Sequence, residues 1–383
     1  MTVSLRAPAP PDPVLVGTSL ALIGIGAIMA GSSSVGIADE DFGEPLHYFV
    51  QHLGALAVGF LGMLLAVRMP IDWWRRLGSL MLVGAFALLV LVLVPGVGST
   101  VNGARRWLDL GPIGFQASEL ARFMLLIYLT SYCVRQHEAL STGLAGFLRP
   151  MGLIALACTL LVLEPDLGAT VVLVTTSLAL LFLAGARLRD LCVAAVAAVV
   201  GLAVLIAAAG YRQDRISAWL EPWDNALDSG YQLVNSFIAI GSGTWFGVGI
   251  GQGVQKMHYL PEPHTDFVFA VLAEEVGLIG ATVVVVLFSI LVYRAFDLGR
   301  RAMVAELPFH GLLATGIGLS LGLQAAISIG VNTGLLPTKG LTLPLISFGR
   351  TSIVVTLFAL GLLLRVAREI DNPPLPKRAR ARA

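Results

Sequence analysis

Charge is what this sequence has least of. Only 13% of its 383 residues are Asp, Glu, Lys or Arg, about half the roughly 25% of a soluble globular domain, whereas 56% are hydrophobic and the mean hydropathy is +0.84. A chain so poor in charge cannot cover a water-facing surface. This excludes an ordinary soluble domain and leaves a polytopic membrane protein. The formal net charge of +1 carries no message about nucleic acid or acidic partners. Cysteine is scarce as well: Cys133, Cys158 and Cys192 lie in or beside apolar segments without metal-ligand spacing. That excludes a disulfide framework and makes them small core hydrophobes. No internal repeat is evident, so the inverted halves of many transporters are missing. A cleaved signal peptide is not expected, because the first apolar run follows the proline-rich APAPPDP and many further spans succeed it.

What is there is a succession of long apolar runs. A bilayer-spanning helix takes about 20 mostly apolar residues, and ten segments qualify: 14–31, 47–67, 77–95, 117–135, 148–164, 167–185, 190–209, 266–293, 309–330 and 345–367. The expected fold class is an all-α polytopic membrane protein with ten transmembrane helices over 14–370. A cytoplasmic N-terminal tail (1–13) and a basic cytoplasmic C-terminal tail (371–383) flank it, and a large extracytoplasmic loop (210–265) joins helices seven and eight. Sidedness comes from the arginines. Arg68, Arg75, Arg76, Arg135, Arg149, Arg187, Arg189, Arg294, Arg300, Arg301, Arg365 and Arg368, with Arg6 and the PKRARARA tail, fall on one set of alternate connections, which the positive-inside rule puts in the cytoplasm with both termini. The tail also suits anionic lipid headgroups. The outward connections are the acidic Asp39-Glu40-Asp41 loop, residues 102–116, the Glu164-Pro165-Asp166 turn, residues 210–265 and residues 332–344. The longest carries Trp219, Trp223, Tyr231, Trp245 and Tyr259 among glycines, the composition of an interfacial loop with amphipathic helical pieces. Loops of that length are usually functional.

Ionisable residues at membrane depth are costly and mark function by default. Near the outward face the chain has Arg105, Arg106, Glu119, Arg122, Glu164, Asp166, Lys256, Asp266, Glu274, Glu275, Lys339 and Arg350. Cations with a few carboxylates around an outward cavity suit an anionic ligand such as a phosphate, with one carboxylate left to handle protons. The polar residues concentrate between Gly247 and Glu275, in GVGIGQGVQKMHYLPEPHTDFVFAVLAEE. Pro261 and Pro263 delay the helix, so Thr265 is the expected N-cap and Asp266 falls in the first turn, where a carboxylate is favoured by the helix dipole alone. Glu274 and Glu275 project from different faces, and a buried ion pair holding helices in register is the preferred reading. Ser118 is the expected cap of the next outward-starting helix, with Glu119 in its first turn and Arg122 one turn on. Arg105 reads as a surface charge, Arg106 beside Trp107 less so.

Five separated strings, HTDFVFAVLAEEVGLIG, VQKMHYLPE, LLPTKGLTLPLISFG, NGARRWL and EPDLGAT, together resemble the SEDS family of shape, elongation, division and sporulation proteins over about residues 14–368. The flavour of VQK, LPTKGLTLP and HTDFVFAV is closer to its division members than to its elongation members. The resemblance implies a ten-helix fold and a peptidoglycan glycosyltransferase that polymerises lipid II into glycan strands at the outer face of the bacterial cytoplasmic (inner) membrane, at the division septum. The reaction inverts the anomeric centre and releases undecaprenyl diphosphate. Asp266 matches the family's essential aspartate and would take the proton from the acceptor GlcNAc 4-hydroxyl. Arg106, Glu119, Asp166 and Lys339 match further polar positions, and with Arg122, Lys256, Arg350 and Ser352 they form the expected substrate- and diphosphate-binding set. A diphosphate leaves readily once its charge is neutralised, so one base and a cationic cradle suffice in place of the paired carboxylates of most glycoside hydrolases. Two departures stand out. Ala117-Ser-Glu-Leu-Ala-Arg122 replaces the family's Pro-Ser-Glu-Leu-x-Lys, keeping the charge with a different geometry. Gly349-Arg350-Thr351-Ser352 replaces Gly-Gly-Ser-Ser, which removes a close backbone approach and adds a cation. The implied partners are lipid II, the growing glycan strand, membrane lipid, other division proteins and a class B penicillin-binding protein. No cofactor is implied with certainty, and a divalent cation, Mg2+ or Mn2+, stays open. The alternatives are a lipid II flippase, an elongation-type polymerase and a non-catalytic scaffold. Polar residues crowded at the outward end speak against a flippase.

Overall fold

The computed structural model describes residues 11–101, 104–109 and 114–372; residues 1–10 and 373–383, which make up most of the two expected tails, lie outside the described residues. In chain order the elements are α1 (Pro13–Phe42), α2 (His47–Arg68), α3 (Ile71–Leu93), β1 (Gly98–Val101), β2 (Ala104–Asp109), β3 (Gly114–Gln116), α4 (Ala117–Arg135), α5 (His137–Thr142), α6 (Leu144–Leu163), α7 (Leu167–Leu183), α8 (Leu188–Ala207), α9 (Gly210–Leu220), α10 (Tyr231–Ser242), α11 (Val268–Val304), α12 (Pro308–Asn332) and α13 (Arg350–Asp371). Each of the ten apolar segments is a helix. Among the described residues eight helices are long and apolar enough to cross a membrane, and α7 is a shorter apolar one.

One end of the bundle is defined by ion pairs. Asp12 caps α1 by accepting from the Val14 and Leu15 N–H groups at 3.1 Å and lies 2.7 Å from the Arg294 guanidinium. Glu369 accepts from the Ile71 N–H and from Arg365 and faces His310 at 2.7 Å. The start of α1, the α2–α3 hinge, the last turns of α11 and the end of α13 therefore meet, as the arginine distribution requires. Along the bundle α2 packs on α13, α3 on α4 and α11 on α12. Small residues let these backbones approach without a water-driven hydrophobic force between them. Helix α8 stands at the edge, with only Asp190 and Leu191 buried.

The opposite end departs from expectation in four places. The helical bundle also carries one small sheet: residues 98–101, 104–109 and 114–116 form three antiparallel strands in the order β1-β2-β3. Helix α1 runs to Phe42 and ends on Gly43 in the left-handed conformation (φ 66°), so Asp39, Glu40 and Asp41 form its last turn and not a loop. Ser33 and Ser34 bond back to the Met29 and Ala30 carbonyls, and Glu40 reaches His258 at 3.1 Å. Helix α13 starts at Arg350, five residues later than the apolar run, because Ser347 ties residues 343–347 into a turn by accepting from the Leu343 N–H at 2.8 Å.

The fourth departure is a break in α11. Gly277 has φ 70° and ψ −172°, a conformation open only to glycine. The chain from Thr244 to Gly249 lies in the gap. The Val248 and Gly249 N–H groups donate to the Glu274 and Glu275 carbonyls at 3.0 Å, and the Leu278 and Ile279 N–H groups donate to Thr244 and Trp245 at 2.9 and 3.2 Å. These four bonds give protein partners to backbone groups that the break frees, as irregular backbone at membrane depth requires.

Candidate active site

The end of the bundle opposite those ion pairs holds a cavity of about 520 Å3 whose walls come from β2, α7, α8, α9, α12 and the loop after α12. Four cationic residues line it, Arg106, Arg212, Arg215 and Lys339, together with Asp166 and Tyr211. Leu202, Ile206, Ile216, Val171 and Ile327 make the remaining wall apolar.

Strand alternation decides which arginine faces the cavity. Arg105 turns to the end of α3, donating to the Leu93 carbonyl at 3.3 Å. Arg106 turns to the α6–α7 corner and donates to the Glu164 and Pro165 carbonyls at 3.0 and 2.6 Å. Asp166 caps α7 by accepting from the Ala169 N–H, and its other oxygen accepts from Ser118, each at 2.9 Å. Ser118 is thus inside α4 and binds Asp166, instead of capping its own helix; Glu119 does occupy the first turn. Burial, helped by Asp166 and opposed by Arg106, pushes the Glu164 carboxyl up to about 8.

Asp266 sits at the rim, half-buried, against Gly340 of the cavity wall. A methyl group at position 340 would come within 2.9 Å of its Oδ2, so glycine there leaves the carboxylate room. The helix begins two residues after Asp266, at Val268, and Phe267 takes the N-cap position. Thr265 bonds Glu262 at 2.8 Å instead of capping. The reason is that the chain is held extended from outside: Phe348 N–H donates to the His264 carbonyl at 2.8 Å and Ser347 Oγ to the Thr265 carbonyl. Burial pushes the Asp266 carboxyl up to about 7, with Glu262 adding to the rise and Arg106 and Arg215 opposing it. Burial, and then Arg215, lowers the Lys339 ammonium to about 8, while Asp166 acts the other way.

The other expected ligands are placed elsewhere. Lys256 is buried, with its Nζ 2.6 Å from Glu275 Oε1 and 2.8 Å from Ser32 Oγ, the register-holding ion pair expected for the acidic pair in α11. Glu274 accepts from the Val254 and Gln255 N–H groups. Arg122 pairs with Glu119 at 2.6 Å, both buried, beside two small cavities of about 30 and 10 Å3 separate from the large one. Ser352 accepts from Thr342 at 3.2 Å, and Gln324 donates to the Thr342 carbonyl at 3.1 Å, so this chain braces the loop behind the site. Arg350 lies against Gly114 of β3, where α13 docks through the bond from Gln116 N–H to Thr351 Oγ1 at 2.9 Å. Tyr211, Arg212 and Arg215 escaped the sequence reading. Their spacing in YRQDRI places 211, 212 and 215 on one helical face, a signal masked by the aromatic, interfacial look of the loop. Among the described residues no three His, Cys, Asp or Glu side chains converge to hold a metal ion.

The arrangement combines a carboxylate that titrates near neutrality, a cationic cradle and an apolar wall, in a helical membrane protein. It is suited to proton removal next to a bound anionic group that carries an apolar tail. Comparison with known proteins gives the family. The FtsW/RodA/SpoVE model, described as cell cycle protein, matches residues 13–372, and the chain belongs to this family. It is 50% identical over 357 residues, 93% of this chain and 89% of the relative, to a probable peptidoglycan glycosyltransferase FtsW of Thioalkalivibrio sulfidiphilus. It is 47% identical to the protein of that name from Legionella pneumophila, over 94% of this chain and 91% of the relative. In structure it matches a chain of a peptidoglycan synthase complex that coordinates polymerization and crosslinking, with TM-score 0.76, 30% identity and coverage of 94% and 99%. It also matches the rod shape determining protein RodA of Thermus thermophilus, with TM-score 0.66, 29% identity and coverage of 96% and 99%.

Proposed function

We propose that this chain is a peptidoglycan glycosyltransferase of septal wall synthesis that polymerises lipid II. The observation that carries the reading is Asp266, raised to about 7, at the rim of a cavity lined by four cations. The Asp266 carboxylate takes the proton of the acceptor sugar's 4-hydroxyl as that oxygen attacks the donor's anomeric carbon from the face opposite the diphosphate. The anomeric C–O bond breaks and its electron pair leaves with the diphosphate. Arg106, Arg212, Arg215 and Lys339 oppose the charge that grows there, worth most where water is excluded. The polyprenyl tail runs along the apolar wall between α7 and α8. Asp166 serves by fixing α4 to α7 and keeping Lys339 charged.

The names of the FtsW relatives support the reaction class. The likeness to a chain of a polymerizing and crosslinking complex supports a penicillin-binding transpeptidase as partner. Both termini are cytoplasmic in this reading, so the cavity opens where the wall is built. The four cations supply charge neutralisation by themselves, and loss of activity on chelation would add a Mg2+ or Mn2+ ion to the scheme. The test is glycan-strand formation from purified lipid II by the protein with its cognate class B transpeptidase, wild type against Asp266→Ala. Folded Asp266→Ala protein should make no strands; retained polymerisation sinks the reading. Movement of headgroup-labelled lipid II across vesicles by the protein alone would favour a flippase.

A further inference from the structure

The first turn of a helix leaves N–H groups without partners, and an Asn, Asp, Ser or Thr at the N-cap ordinarily accepts from one of them. Helix α11 has Phe267 at that position and no side-chain cap of its own. The side-chain acceptor comes from another helix and shares the Ala270 N–H with the Phe267 carbonyl, which lies 3.0 Å from that nitrogen. Asn332, the last residue of α12, is fully buried and accepts from the Ala270 N–H through Oδ1 at 3.0 Å. The same carboxamide donates through Nδ2 to the Asp266 carbonyl at 2.9 Å and to the Ser328 carbonyl of its own helix at 2.8 Å.

We infer that Asn332 is a positioning residue for Asp266: one buried amide caps α11 from outside and holds the carbonyl of the residue just before its N-cap. The inference rests on the reading of Asp266 as the base. The amide uses both of its donors and its acceptor, so the side chain has no freedom to turn. Its anchor on Ser328 makes α12 the reference against which Asp266 is placed. Helix α12 runs on into the loop that carries Lys339 and Gly340, so one residue sets the distance between the base and a cation of the cradle. With Ser347 and Phe348 holding Thr265 and His264 from the α13 side, each carbonyl from 264 to 266 is fixed by a different group. A shift of about 1 Å in a catalytic group can cost 100-fold in rate. A residue that only capped α11 would instead affect stability.

The experiment separates the two halves of the amide. Asn332→Asp keeps an oxygen for the Ala270 N–H and removes the donor to Asp266, whereas Asn332→Leu removes both. Strand synthesis from lipid II is followed with the full chain in complex with its transpeptidase, together with thermal unfolding. Folded Asn332→Asp is expected to show kcat reduced at least tenfold, KM within about twofold of wild type and the acid limb of the pH–rate profile displaced upward. Asn332→Leu is expected to lose thermal stability in addition. In the Asp266→Asn background, Asn332→Asp should cause no further loss of rate. Unchanged kcat and pH profile in Asn332→Asp, or a loss confined to stability, overturns the inference. Should Asn332→Asp not fold, Asn332→Ser, whose hydroxyl is too short to reach Asp266, is read in the same way, and failure of both to fold also overturns it in favour of a structural cap. An active Asp266→Asn overturns the proposed base itself; an inactive Asp266→Asn beside a normal Asn332→Asp overturns only the positioning role.

Discussion

The Lys256 ammonium lies 2.6 Å from the Glu275 carboxylate, and both side chains are almost wholly withdrawn from solvent. Ser32 of α1 bonds to each of them, so the pair fastens the segment before Asp266 to the two helices behind it. Removing one member strands the other charge, a loss of about 3–5 kcal/mol for a buried pair. Lys256→Met should therefore lower the thermal unfolding temperature of the solubilised protein sharply, and Lys256→Met with Glu275→Met should recover most of it. Because neither member of the pair lines the cavity, the folded fraction of Lys256→Met should bind lipid II as wild type does. A selective rise in KM would restore Lys256 to the diphosphate site.

In the proposed reaction the pH dependence follows from two groups. Asp266 acts as a carboxylate, and burial raises it to about 7, so kcat/KM should climb as pH rises through about 7. Lys339 acts while protonated, and burial lowers it to about 8, so kcat/KM should fall above that value. The expected profile is a narrow bell. Glu262 lifts Asp266 by its negative charge, so Glu262→Gln should move the acid limb to lower pH, and Arg215→Ala should move it to higher pH. Initial rates of strand synthesis across pH 5–9 check the limbs and their directions.

Arg212 and Arg215 face the cavity from α9. A hydrogen bond to a charged group contributes about 1.5–3 kcal/mol, which corresponds to roughly 10- to 100-fold. Arg215→Ala should lower kcat/KM for lipid II by about that factor at low salt, with a smaller deficit as ionic strength screens the site. Arg212→Ala should do the same and loosen α9 as well, since Arg212 also holds the Leu205 carbonyl at 2.6 Å.

Gly277 and Gly247 meet where α11 breaks. A methyl group on Gly277 would fall 2.4 Å from the Gly247 nitrogen, and one on Gly247 would fall 2.1 Å from the Glu275 carbonyl oxygen. Both residues have positive φ, 70° and 79°, so alanine adds backbone strain of about 1–3 kcal/mol to the clash. Gly277→Ala and Gly247→Ala should each reduce the folded yield and the unfolding temperature. Neither should change the pH limbs in the protein that does fold.

The sequence by itself determined the class of protein. So few charges and so many apolar runs of spanning length admit only a membrane bundle, because length and hydropathy are local properties, read one helix at a time. The arginine spacing located the end at which Asp12, Arg294 and Glu369 lie, and the motif around Asp266 located the proposed base. What the tertiary structure alone decided was which polar residues share a space. Lys256 and Arg350 stand in motifs as promising as that of Lys339, yet Lys256 is engaged by Glu275 and Arg350 lies against β3, because side-chain direction depends on how separate helices are turned about their axes. Arg105 and Arg106 differ only by the alternation of a strand that no apolar pattern announced. Arg212 and Arg215 enter the site because α9, packed on α8, faces α7 and α12 across the cavity, and Asn332 reaches Asp266 across 66 residues of chain. Contacts of that kind are set by packing between elements, and no local pattern carries them.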